Sequence, residues 1–289
     1  MFDYDDLLEE LSDINTIVTE RFSAGKTVMG RDIPCIKIGR GKKSMVINGA
    51  HHGLEYITSA FLTAFIKKYS EFLIKGEKMY GFDVVSFFDE ISLYIVPMLN
   101  PDGVDIAVNG LDITNPWHRR LISLVGIHSF QKVWQANANG VDLNHNYDAD
   151  WKITVDFPAP TKFGGEYAFD QPETQCMAKL IRDVDCDMLL CFHSQGREIY
   201  YDFNGCQEPG AKELAEKMAQ ISGYEVKTPT GTASYGGCKD WFLEEFGRSG
   251  FTVEVGTGKN PLPVSELKNI FEENSKIILC AMTDLSNKL

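Results

Sequence analysis

The sequence predicts an α/β fold: a mixed parallel and antiparallel sheet flanked by helices, as a single domain spanning residues 1–289. Three observations predict it. Short apolar runs of strand length alternate with helical patterns along the chain, the rhythm of a layered sheet and its helices. The chemically capable residues are spread from His52 to Glu254 with no Pro/Gly/Ser-rich linker, low-complexity run or internal repeat between them, so one folding unit has to gather them. A chain of 289 residues with 44% hydrophobic content is also long enough to bury one large core.

Taken in order, a helical pattern is expected over Tyr4 to Phe22, then strands over Asp32 to Ile38 and Ser44 to Asn48. The run from Glu55 to Leu73 is amphipathic and reads as a helix from Tyr56. A strand follows at Ile91 to Val96. The segment Val104 to Ala136 has the weakest periodicity and is expected to form loops beside a cleft, where specificity is often carried. Beyond it come a helix at Pro172 to Val184, a buried strand at Met188 to Phe192, a helix at Gly210 to Gly223, a strand at Gly250 to Val255 and a helix at Val264 to Leu285.

The stretch NGAHHGLEYIT places His52 and Glu55 three residues apart at a strand-to-helix junction. Side chains at i and i+3 share one helix face. An imidazole and a carboxylate side by side make a pair of zinc ligands; taken alone, they also fit a solvated helix start. The run Met188 to Phe192 ends at His193, so a strand delivers a histidine at its carboxyl end, the edge where open α/β sheets bind ligands. A hydrogen-bonded core histidine is the alternative, but the small polar Ser194-Gln195-Gly196 that follows suits a site. Together His52, Glu55 and His193 make a His2Glu set with one coordination position open. A hydrolytic zinc site needs a base. Glu254 stands in an apolar strand beside Thr252, Val253 and Val255, where a carboxylate is unfavourable unless it has a partner or faces solvent from an edge.

The formal net charge is −13, and lysines and arginines form no stripe, which disfavours nucleic acid and anionic membranes as partners. The seven cysteines are irregularly spaced without C-x-x-C, the pattern of reduced thiols. Cys191 and Cys238 fit either the pocket or small apolar packing. The start MFDYDDLLEE has neither a basic nor an apolar character, and no run approaches the length of a membrane span. The expected location is the cytoplasm; the oligomeric state is left open.

Through these residues the chain resembles the zinc carboxypeptidase family. Five landmarks occur in the family's order: His52-x-x-Glu55, NPDG from Asn100, GVDLNHN from Gly140, FHSQG from Phe192 and FTVEVG from Phe251. Within the family it looks most like bacterial γ-D-glutamyl-meso-diaminopimelate peptidases, through segments such as WQANANGVDLNHNYDADW, GGEYAFDQPET and EVGTGKNPLP. The resemblance implies one zinc per chain on His52, Glu55 and His193, with Glu254 as general acid/base. It implies that Asp142 accepts a hydrogen bond from the first zinc histidine, and that Asn144 binds the substrate's terminal carboxylate. The substrate would be a small peptide, a muropeptide, cut at the γ-D-glutamyl-diaminopimelate amide. A carboxypeptidase or amidohydrolase acting on other acyl-amino acids is the alternative, and a non-catalytic zinc-binding homologue a further one.

Three positions depart from the family. His145 stands where an arginine usually forks onto the terminal carboxylate, and imidazole pairing is weaker and pH-dependent. Asn139 stands where many members carry an arginine near the oxyanion, and no arginine lies between Arg120 and Arg182. Thr232 occupies the place of the mobile tyrosine of pancreatic-type members, with Tyr235 close by. Lys239 aligns with the specificity position of the side-chain pocket, where a cation could read the distal carboxylate of diaminopimelate; an ordinary solvated lysine is the alternative.

Overall fold

The computed structural model describes residues 1–125, 132–228 and 235–288. Its centre is an eight-stranded mixed sheet. The strands are β1 (Thr19–Lys26), β2 (Asp32–Ile38), β3 (Lys43–Gly49), β4 (Ile91–Val96), β5 (Met188–Ser194), β6 (Glu198–Tyr200), β7 (Glu225–Lys227) and β8 (Ser249–Val255). They lie in the order β1-β2-β4-β3-β5-β8-β6-β7. The four inner strands β4, β3, β5 and β8 are parallel, while β2 joins β4 and β6 joins β8 in antiparallel fashion. Parallel strands covered on both faces read as continuous apolar runs, which is why β3, β5 and β8 stand out in the sequence.

Helices cover both faces. On one side α2 (Tyr56–Lys75), α7 (Ala211–Ser222) and α9 (Leu267–Asn287), with the short α1 (Tyr4–Ser12) and α3 (Val84–Glu90), enclose Ile47, Leu190, Phe192 and Val253. On the other, α6 (Pro172–Asp183) and α8 (Cys238–Phe246) close over Val46, Leu189 and Cys191 with Trp241 and Phe242. Alternation along β5 sends Cys191 to this second face, and two residues on, His193 with it. The site is therefore a continuation of the face that α8 covers.

Three expectations are corrected. The first helix ends at Ser12, with Asp13 as its C-cap, rather than at Phe22. The chain then turns, Ile17 N–H donating to Asn15 Oδ1 at 2.8 Å, and enters the edge strand β1, whose mostly exposed residues hide the alternation that would have marked it. Among its described residues, the stretch Val104 to Ala136 is not mainly loop: it contains most of α4 (Pro101–Asn109) and all of α5 (Pro116–Val125), while 126–131 lie outside the described residues. Both begin with Asn-Pro, the asparagine side chain taking an orphan N–H (Asn100 Oδ1 from Gly103, Asn115 Oδ1 from Trp117) and proline sitting at N1. Finally, Val264–Glu266 is a 3-10 turn that leads into α9.

Candidate active site

The loop after β3 carries His52 and Glu55, and its shape is set from behind by the NPDG segment. Asn100 Nδ2 donates to the carbonyls of His51, Gln135 and Ala136 at 3.0–3.2 Å while its Oδ1 caps α4. Gly53 lies so close to the Gly103 carbonyl that a Cβ would sit 2.3 Å from that oxygen, and a Cβ on Gly103 would meet the Ala136 carbonyl at the same distance. Both glycines are required by close approach of three backbones, and the H-x-x-E loop is held between them.

The three expected ligands converge. Their ligand atoms lie within 4.8 Å of one another. Glu55 Oε1 is 3.0 Å from His52 Nδ1, and its Oε2 is 3.0 Å from His193 Nδ1. His52 Nε2 is 3.1 Å from Asp142 Oδ1, so its N–H points there and Nδ1 is left to face Glu55. Asp142 is itself held by the N–H groups of Lys162 and Asn144.

The electrostatics call for a cation. Burial alone would depress His52, but the Glu55 and Asp142 carboxylates outweigh it and hold the imidazole well above its ordinary value. Burial would likewise raise the Glu55 and Asp142 carboxyls, yet the neighbouring imidazoles hold both below the usual carboxylate range. One ionised carboxylate and two imidazole nitrogens around one point, with the Asp142 carboxylate behind the His52 ring, suit a divalent ion, whose binding displaces the protons. The donor set fits zinc.

Glu254 lies beside the ligands. It is the register partner of His193 on the parallel strand β8. Desolvation pushes its carboxyl up to about 7, with His193 pulling down and Glu55 and Glu198 pushing further up. The cleft in front of it, about 460 Å³, is lined by His52, Glu55, Gln135, Glu198, Tyr200, Lys259 and Asn260 among others. Asn260 braces the floor: it accepts from Ser194 Oγ at 2.7 Å, donates to the Ser194 carbonyl at 2.5 Å and reaches Glu55 Oε1 at 3.4 Å.

The remaining expected residues sit further out. Asn144 accepts the Cys238 N–H at the start of α8 through Oδ1. His145 Nδ1 is 2.7 Å from the Tyr235 carbonyl, and Lys152 sits over the Tyr235 ring. Lys239 is buried, 4% exposed, paired with Asp240 and donating to the Asp202 carbonyl. Asn139 is engaged with Gln171 and Arg120, and the cleft wall carries Gln135 instead. Thr232 lies outside the described residues. Cys191 and Cys238 are buried fillers of the α8 face. Sequence reasoning missed Gln135, Glu198, Tyr200, Lys259 and Asn260; the adjacent motifs WQAN, HSQGREIYY and GTGKNP were the available signal. It also missed His51, which is fully buried, stacks on the His193 ring at 5.3 Å and bonds the Tyr147 hydroxyl.

Comparison with known proteins agrees with this arrangement. A sequence model of the zinc carboxypeptidase family matches residues 4–277. A γ-D-glutamyl-L-diamino acid endopeptidase of Lysinibacillus sphaericus is 34% identical over 97% of this chain and 72% of its own. Among solved structures, thrombin activatable fibrinolysis inhibitor superposes with a TM-score of 0.78 at 17% identity, covering 99% of this chain and 73% of its own. The murein-tripeptide amidase MpaA of Escherichia coli O157 does so with 0.60 at 20% identity, covering 97% and 96%. The two structural likenesses establish the fold. Together with the family match and the convergence of His52, Glu55 and His193, they show that this chain belongs to the zinc carboxypeptidase family and is a zinc metallopeptidase.

Proposed function

We propose that the protein hydrolyses the amide between the side-chain carboxyl of D-glutamate and a diamino acid, with diaminopimelate foremost, in peptidoglycan stem peptides. The name of the Lysinibacillus relative supports this reading. The observation that carries it is His145. Where docking of an ordinary C-terminal carboxylate asks for a guanidinium fork, the chain offers an imidazole already tied to the Tyr235 carbonyl.

Zinc held by His52, Glu55 and His193 supplies Lewis acidity to a water and to the scissile carbonyl. Glu254 takes the proton of the attacking water and returns it to the leaving amine; a carboxyl at about 7 does both near neutral pH. Asp142 fixes the His52 ring. Gln135, on the cleft wall, donates to the carbonyl oxygen as charge develops there. Asn139 acts behind it, through Gln171. Asn144 presents its Nδ2 group to a substrate carboxylate, and His145, its Nδ1 tied to the Tyr235 carbonyl and its Nε2 3.9 Å from Asp142 Oδ2, lies beside it.

The test is hydrolysis of L-Ala-γ-D-Glu-meso-diaminopimelate by the zinc-loaded protein, followed by mass spectrometry beside a chelated sample. Release of free diaminopimelate that stops on chelation is expected. Faster trimming of ordinary peptides with free C-termini would replace this reading by a general carboxypeptidase.

A further inference from the structure

Adjacent strands set the order of groups across the active-site face. β5, β8 and β6 are neighbours, and His193, Glu254 and Glu198 are register partners across them, one row of metal ligand, base and second carboxylate. Opposed residues on one face of an antiparallel pair have Cβ atoms about 4.5–5.5 Å apart, and like charges so placed are destabilising. Glu198 therefore abuts Glu254, and it lines the same cleft.

Among the described residues no cation is paired with Glu198 to relieve that repulsion. Its side-chain partner is the Tyr200 hydroxyl, which donates to Oε2 at 2.6 Å. Lys227 on the next strand is paired with Glu225, and Lys239 with Asp240. Lys259 lines the cleft but is exposed. A carboxylate anchored by a tyrosine and set beside another carboxylate is a receptor for a cation that arrives with the substrate.

Its place in the row says which part of the substrate. Glu254 delivers a proton to the leaving amine, so the residue being released lies against Glu254. On the side of Glu254 away from His193 stands Glu198. We infer that Glu198 is a specificity residue whose carboxylate, oriented by Tyr200, binds the free side-chain ammonium group of the released residue, the second amine of a diamino acid. This rests on the reading that a diamino acid is the leaving residue.

The test compares L-Ala-γ-D-Glu-L-lysine with L-Ala-γ-D-Glu-L-norleucine, which lacks only the ammonium group, using zinc-loaded wild type, Glu198→Gln and Glu198→Lys. Wild type should favour lysine by about 10- to 100-fold in kcat/KM, the range of a hydrogen bond to a charged group. Glu198→Gln should erase the preference, the lysine rate falling about 10- to 100-fold further than the norleucine rate, and Glu198→Lys should turn lysine into the poorer substrate. Equal loss on both substrates would make Glu198 a support for Glu254 and overturn the inference, as would a preference that survives in Glu198→Gln. Calorimetric binding of free lysine and norleucine reads the same contrast without turnover. If wild type cleaves neither of these γ-linked peptides nor the diaminopimelate peptide, the proposed function fails; lysine binding that weakens in Glu198→Gln would still uphold the ammonium site, and unchanged binding would overturn it.

Discussion

Around Glu55 and around Glu173 the chain buries the same side chain to nearly the same depth, 3% and 0% exposed, with opposite electrostatic results. Glu55 faces two imidazoles, and despite burial its carboxyl is held below the usual range. Glu173, at the start of α6, accepts hydrogen bonds from the Val28 N–H at 3.0 Å and Asn137 Nδ2 at 3.2 Å, has Asp102 nearby, and is pushed up to about 7. Neutral donors offset desolvation only in part, whereas opposite charges more than offset it. Burial is common to both regions; partner charge separates a metal site from a structural clasp that holds the β1–β2 turn against α6.

The comparison would break most visibly at Glu55 itself. Glu55→Gln removes the negative charge around which both imidazoles are set, and zinc stoichiometry by atomic absorption should fall towards zero together with activity; near-full zinc content would mean that the two histidines suffice. Next in size, Glu254→Gln should keep zinc bound and lower kcat by about 10²- to 10⁴-fold, the usual worth of a general acid/base. A near-normal rate would remove Glu254 from its role.

Asp142→Asn sharpens the comparison at one remove. It keeps shape but weakens the hold on His52 Nε2, and zinc affinity should drop about 10- to 100-fold in a competitive chelator titration. The smallest effect lies at Glu173. The unfolded carboxyl loses its proton near 4.5 and the folded one near 7, so the native state binds more protons between those values and stability falls as pH rises through that window. At 1.36 kcal/mol per unit the loss is roughly 3 kcal/mol. Urea midpoints for wild type minus Glu173→Gln should decline from pH 4.5 to 7 and then level; a difference independent of pH would show that the clasp is ionised throughout.

The metal half was legible in the sequence because its ligands sit at fixed offsets from strand ends. His52 and Glu55 follow β3, His193 lies within β5 and Glu254 within β8, and apolar runs buried on both faces announce those strands. The α4 and α5 helices were legible in principle, through the capping signals at Asn100-Pro101 and Asn115-Pro116, but the third Asn-Pro, Asn260-Pro261, begins no helix and braces the site floor instead. A dipeptide does not reveal which role it plays. The edge strand β1 was hidden because an exposed strand has no apolar face to display.

The sequence by itself determined the layered α/β order and the candidate ligand set, since each depends on local pattern and spacing. Only the tertiary structure decided which polar groups are free to act. Lys239, a candidate reader of charge, is paired inside the fold, Asn139 is engaged behind the cleft, and Gln135 and Glu198 face it. The physical reason is that a ligand's type is a property of one residue, whereas its availability depends on partners brought from distant segments, as Asp202, Gln171 and Glu254 are here.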